Sequence, residues 1–156
     1  MAAALLTAVM ASLAGIGGAI YLGLTAATGE MLSHITIGIF STMVNLMAHS
    51  MMMFYFLGKG KAVREAAEEG GLSKEFERRI AVLRKPVFSI GPLAMAVTII
   101  TALVGAGVDT GTLPAGFHGV LAYSCLAINL GALKVEISAL TESGRVVTEV
   151  NQRLNA

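Results

Sequence analysis

The chain of 156 residues is 55% hydrophobic and only 13% charged, with a mean hydropathy of +0.75. Soluble domains average about 45–50% apolar and about 25% charged residues, so a water-soluble domain with an ordinary polar surface is excluded. A net charge of +1 supplies no basic field for nucleic acid, and no metalloprotease motif, nucleophile elbow or dinucleotide fingerprint is present.

The apolar residues concentrate near 3–24, 33–57, 87–108 and 115–139. Each segment reaches the roughly 20 residues that a spanning helix needs. The expected fold is all-α: one polytopic membrane domain over 1–156, an up-down-up-down bundle of four transmembrane helices. Lys59, Lys61, Arg64, Lys74, Arg78, Arg79, Arg84 and Lys85 fall between the second and third segments, and Lys134, Arg145 and Arg153 at or after the end of the fourth. The first and third connections contain no lysine or arginine, only Glu30 and Asp109. The positive-inside tendency therefore predicts cytoplasmic termini and a cytoplasmic 58–86 connection, as in a bacterial inner-membrane protein.

The first helix, 3–24, is rich in alanine and glycine, and Gly15, Gly18 and Ala19 offer a face for close helix approach. It lacks the basic n-region of a signal peptide and is read as a retained span. The second, 33–57, sets His34, Gly38, Ser41, Asn45 and His49 in one narrow stripe at 100° per residue. Polar groups inside a bilayer are costly and face a bundle interior. The methionines at 43, 47 and 51–53 read as gap-filling packing residues, and Phe54, Tyr55 and Phe56 suit an interface.

The 58–86 connection predicts a helical hairpin. Lys61–Glu69 prolongs the second helix, Gly70-Gly71 breaks it, and Ser73 caps a separate helix running to Lys85. Phe76, Ile80 and Leu83 form an apolar stripe for a membrane surface or another subunit. Gly58-Lys59-Gly60-Lys61 lacks the spacing and strand of a phosphate loop. The third helix, 87–108, is expected to start after Pro86 and to kink at Pro92. The fourth begins near Ala115 and carries His118, Cys125 and Asn129, with Lys134 and Glu136 reaching the cytoplasmic side. Residues 141–156 form an amphipathic tail, a second candidate docking element for partner subunits. Cys125 is the only cysteine, which rules out an intrachain disulfide and suits a structural thiol.

An offset of 84 residues sets His34 over His118, Ser41 over Cys125, Asn45 over Asn129, Gly23 over Gly107 and Thr28 over Thr112. That pattern predicts a tandem hairpin repeat with a pseudo-two-fold along the membrane normal. Two imidazoles at one depth on diagonal helices can hold one haem iron from both faces, with Gly38 and Gly119 as small positions beside them and Glu30 one turn before His34 as an orienting group. Asn45 and Asn129 read as interhelical glue. His49 has no counterpart, because Leu133 occupies its place in the repeat; a second metal ligand is its weaker reading.

The four helices and the His34/His118 pair resemble b-type cytochrome subunits of membrane oxidoreductases, including the haem-bearing anchors of succinate dehydrogenases. The resemblance implies haem b and electron transfer between a quinone pool and a partner protein, in a subunit that is not a stand-alone enzyme. Two other readings fit the residues: a non-catalytic anchor or assembly subunit, and a small oligomeric transporter or channel.

Overall fold

The computed structural model describes residues 1–25 and 31–155; Thr28 and Glu30 lie outside them. Four α-helices follow in order: α1 Ala2–Thr25, α2 Met31–Glu69, α3 Glu75–Asp109 and α4 Ala115–Leu154. All four are long and apolar enough to cross a membrane, and between 17% and 28% of each apolar window is buried. Large apolar side chains such as Phe40, Met43, Leu103 and Val120 point outward. Asn45, His49, Asn129 and Glu136 are enclosed. An apolar outer surface around an interior that holds a polar cluster departs from the pattern of a soluble bundle.

Neighbouring helices run antiparallel, as their contacts show. Ser12 meets Asn45 and Ala19 meets His34 across α1 and α2, while Thr98 meets Asn129 across α3 and α4. Helices α2 and α4 lie diagonally and run parallel, meeting at Asn45/Asn129 and Lys59/Ser143. Close approach of α1 to α2 depends on Gly15, where an added Cβ would collide with the Ser41 hydroxyl.

α3 and α4 are longer than the sequence suggests, whereas α2 runs to Glu69 as expected. At 1.5 Å per residue, α2, α3 and α4 extend about 50–60 Å, well beyond a hydrocarbon core of about 30 Å. The expected separate helix ending at Lys85 does not exist. α3 starts at Glu75, where the Ser73 hydroxyl accepts the Glu75 N–H, and it runs without a break through Pro86 and Pro92. Both prolines are exposed, and each removes one intrahelical hydrogen bond. The buried stripe Phe76, Ile80, Val87, Gly91, Ala94 and Thr98 continues past both and holds the axis. The 141–156 segment is likewise no separate tail, since α4 continues to Leu154. Gly70-Gly71 does end α2, with Gly71 at φ 63°.

Two apolar clusters lie along the bundle. One combines Leu5, Val9 and Leu13 with Ala48, Met52, Phe56, Val87, Ala139 and Leu140. The other, beyond it, packs Val63 against Phe76, Ile80, Val146 and Val150. The stripe expected to meet a membrane or another subunit thus covers its own neighbours. Arg79 pairs with Glu149 at its edge, 2.6 Å apart. Gly58–Lys61 lies within α2 as helix, not loop.

Candidate functional site

The inward face of α4 follows a strict alternation of three and four residues: Cys125, Asn129, Ala132, Glu136, Ala139, Ser143, Val146 and Val150 are all buried. On α2 steps of three, four and seven residues bury Ser41, Asn45, Ala48, Met52, Phe56 and Val63, with His49 beside Ala48. That 3.5-residue period keeps one seam of each helix on the bundle axis. Polar residues on these seams find partners across the axis, on α1 and α3, and on the backbone.

Asn129 is the hub. Its Nδ2 donates to the Cys125 carbonyl at 2.9 Å and to Thr98 Oγ1 at 3.2 Å. Its Oδ1 accepts from Asn45 Nδ2 at 2.6 Å and faces His49 Nε2 at 3.1 Å. A carbonyl can only accept, so the Cys125 contact fixes which end of the Asn129 amide is which. Asn45 Nδ2 also donates to Ser12 Oγ at 2.9 Å. The Thr98 hydroxyl donates to the Ala94 carbonyl and lies 3.2 Å from Cys125 Sγ. The four helices are joined here by hydrogen bonds at one level. Asn45, Asn129 and Cys125 therefore belong to one enclosed cluster, while Ser41, also buried, is turned onto the Ile37 carbonyl of its own helix.

His49 is not alone. Its Nδ1 lies 2.7 Å from Glu136 Oε1, and neither side chain has any exposed surface. Glu136, expected beside Lys134 at the end of the span, is fully enclosed. The heptad seam turns it inward while Lys134 faces out. Both ring nitrogens of His49 are engaged by protein groups, which leaves this ring no free position for a metal. Glu136 Oε2 and Asn45 Oδ1 are buried without a hydrogen-bond partner among the described residues.

His34 and His118 meet at the other end of the seam. Their ring centroids lie 5.9 Å apart with planes at 80°. His34 Nδ1 contacts the Ala19 carbonyl at 2.8 Å, which leaves Nε2 as its free ring nitrogen. His118 lies beside the Thr101 backbone, and its Nδ1 is buried without a hydrogen-bond partner. An added Cβ at Gly23 would come within 3.0 Å of the His34 ring, and one at Gly105 within 2.9 Å of the His118 ring. A glycine of the preceding helix therefore makes room for each imidazole. These are not the glycines expected: a Cβ at Gly38 or Gly119 would meet open space. Gly107, which the repeat aligns with Gly23, faces Leu113 and Thr112 instead.

Among the described residues no group of three or more histidine, cysteine or acidic side chains could hold a metal ion. Sequence reasoning gave Ser12, Thr98 and Gly105 no role, named Gly23 only in the repeat and did not pair Glu136 with His49. Counting seven from Asn129 along the seam would have found Glu136. Comparison with protein-family models, curated proteins and solved structures finds no match to this chain.

Proposed function

We propose that this chain is a small integral membrane electron carrier that holds haem b between His34 and His118. The observation behind this reading is the facing of the two imidazoles across the bundle, 5.9 Å between centroids. Two imidazoles on opposite sides of one metal, at about 2.0 Å per metal–nitrogen bond, place their centroids about 6 Å apart. Two protein ligands alone complete no ordinary metal site, whereas a porphyrin supplies the four remaining nitrogens. The Ala19 carbonyl on His34 Nδ1 is the kind of partner that orients a ligating histidine. Gly23 and Gly105 leave each ring space to sit flush with the neighbouring helix.

Haem, when bound, supplies the one-electron chemistry. The chain's own residues set the ligand orientation and the low-dielectric surroundings. The contacts at 34/118, 45/129 and 59/143 join positions 84 residues apart, which supports reading the chain as two hairpins about a pseudo-two-fold. The basic residues gather at the Gly70-Gly71 end, so that end faces the cytoplasm of a bacterial inner membrane and the histidine pair lies toward the outer side. Electrons would pass between a membrane quinone and a partner subunit docked on the projecting ends of α2, α3 and α4.

Reduced-minus-oxidised absorption spectra of the detergent-purified chain, produced with an ample haem supply, test this reading. A b-type signal that His118→Ala abolishes is expected; wild type without such a signal overturns it.

A further inference from the structure

Glu136 and His49 form the most costly arrangement in the molecule, and electron transfer at His34/His118 makes no use of it. Burying an ion pair costs several kcal/mol per ion before its attraction is counted. Apolar residues of similar size would pack the same space. The pair lies 15 residues along α2 from His34, about 22 Å at helical rise, and touches neither His34 nor His118.

The hydrogen bonds around the pair count its protons. Asn129 Oδ1 is an acceptor, fixed by the donations of its own Nδ2. His49 Nε2, 3.1 Å from that oxygen, must then bear a hydrogen. The remaining ring nitrogen, Nδ1, faces Glu136 Oε1 at 2.7 Å. Between these two acceptors there is room for one proton. With it, the contact is a strong charge-assisted hydrogen bond. Without it, two lone pairs confront each other in a closed interior. The second carboxylate oxygen, Oε2, is buried and unpartnered among the described residues, an open lone pair where a proton or water can arrive.

The groups around the pair do not compete for this proton. α1 presents the Ser12 hydroxyl and α3 the Thr98 hydroxyl. The α3 segment from Pro86 to Val108 contains no titratable residue. α2 adds the Asn45 amide. On α4, Cys125 stands behind Asn129 and contacts Thr98, not His49. Lys59 lies beyond the Met52–Phe56 layer, on Ser143.

We propose that His49 and Glu136 form a proton-binding site that loads and unloads one proton as a unit. In the unloaded state Glu136 is a carboxylate and His49 carries hydrogen on Nε2 alone. An incoming proton forms an O–H bond at Oε2. Rotation of the carboxyl group about its Cγ–Cδ bond then turns this O–H toward Nδ1, where an N–H bond forms as the O–H bond breaks and the carboxylate is restored. Unloading reverses these steps, and no electron is transferred. Asn129 is the positioning residue, because it holds Nε2 in the donor role and leaves Nδ1 to Glu136. The site is independent of the haem reading.

The test is infrared difference spectroscopy of the full-length protein in lipid, titrated over the pH range in which its helicity is constant. Histidine isotope labelling identifies imidazole bands. Wild type is expected to show one step in which a buried carboxylate band shifts, as its hydrogen bond to Nδ1 forms, together with a change in an imidazole band. Glu136→Gln should lose both changes, leaving only the residual response of the other two histidines. The proposal is overturned if wild type shows no coupled step, or if the step persists unchanged in Glu136→Gln. The wild-type titration decides by itself if that variant fails to fold.

Discussion

Asn45 and Asn129, 84 residues apart, hydrogen-bond to each other directly across the bundle axis, Nδ2 to Oδ1 at 2.6 Å. Each also binds a hydroxyl on the helix that precedes its own, Ser12 for Asn45 and Thr98 for Asn129. One pair of amides thus ties all four helices together. An interhelical hydrogen bond in a membrane protein contributes about 0.6–2 kcal/mol, and a buried polar group stripped of its partner costs about 1–3 kcal/mol. Asn129→Leu leaves His49 Nε2 without its acceptor and takes from Asn45 Nδ2 one of its two, the Ser12 hydroxyl remaining. It is expected to destabilise the bundle by about 2–4 kcal/mol, measured by detergent-induced unfolding in mixed micelles. Ser12→Ala removes a single acceptor and is expected to cost about 1 kcal/mol.

The His49–Glu136 pair predicts a non-additive pattern. Removing one partner of a buried ion pair costs about 3–5 kcal/mol, whereas replacing both with apolar groups is often neutral or stabilising. His49→Leu alone should destabilise strongly, and His49→Leu with Glu136→Met should recover most of the loss. Unfolding midpoints of the two singles and the double, compared as a cycle, check this. Additive losses would contradict a coupled pair.

The glycines separate two accounts of the histidine site. Gly105→Ala places a methyl group against the His118 ring, and Gly23→Ala one against the His34 ring. Each is expected to lower haem occupancy severalfold while helicity is unchanged. Gly38→Ala and Gly119→Ala enter open space and should leave occupancy at the wild-type level. Pigment per protein, read from the b-type absorbance, distinguishes the two pairs.

At the projecting end, packing outweighs charge. Ile80 is 1% exposed within the Val63, Phe76, Val146 and Val150 cluster, and Ile80→Ala is expected to cost about 2–5 kcal/mol. Arg79 and Glu149 are each 38% exposed, so Glu149→Ala should cost less than about 1 kcal/mol. Thermal unfolding in detergent orders the two.

The four apolar segments and the inward stripe on α2 can be read from the sequence because hydropathy and a 100° turn suffice to find them. Glu136 lies on the same face of its helix, seven residues after Asn129, but its neighbours in the sequence disguise it. Beside Lys134, after a long apolar run, a glutamate reads as the start of a water-exposed end. Only the length of α4, and the heptad seam that runs on past that point, turns it inward. The prolines mislead in a similar way. Pro86 after a basic run is an ordinary helix start, and a stripe of buried residues on both sides overrides it. Gly23 and Gly105 were invisible because a glycine's use depends on which side chain from another helix lies against it.

The layer of Met52, Phe56, Ala139 and Leu140, closed by Leu5, Val9 and Val87, lies between the His49–Glu136 pair and Lys59. Polar side chains recur on the other side of the pair, at Asn45 and Asn129, then Ser41 and Cys125, then His34 and His118. If the pair loads a proton as proposed, hydrogen-bonding groups line only that side of it, so exchange would favour one end of the bundle. A bilayer studded with this protein would stay electrically tight despite ionisable groups deep inside it. The chain would sense acidity on one face of the membrane without dissipating the difference between the two.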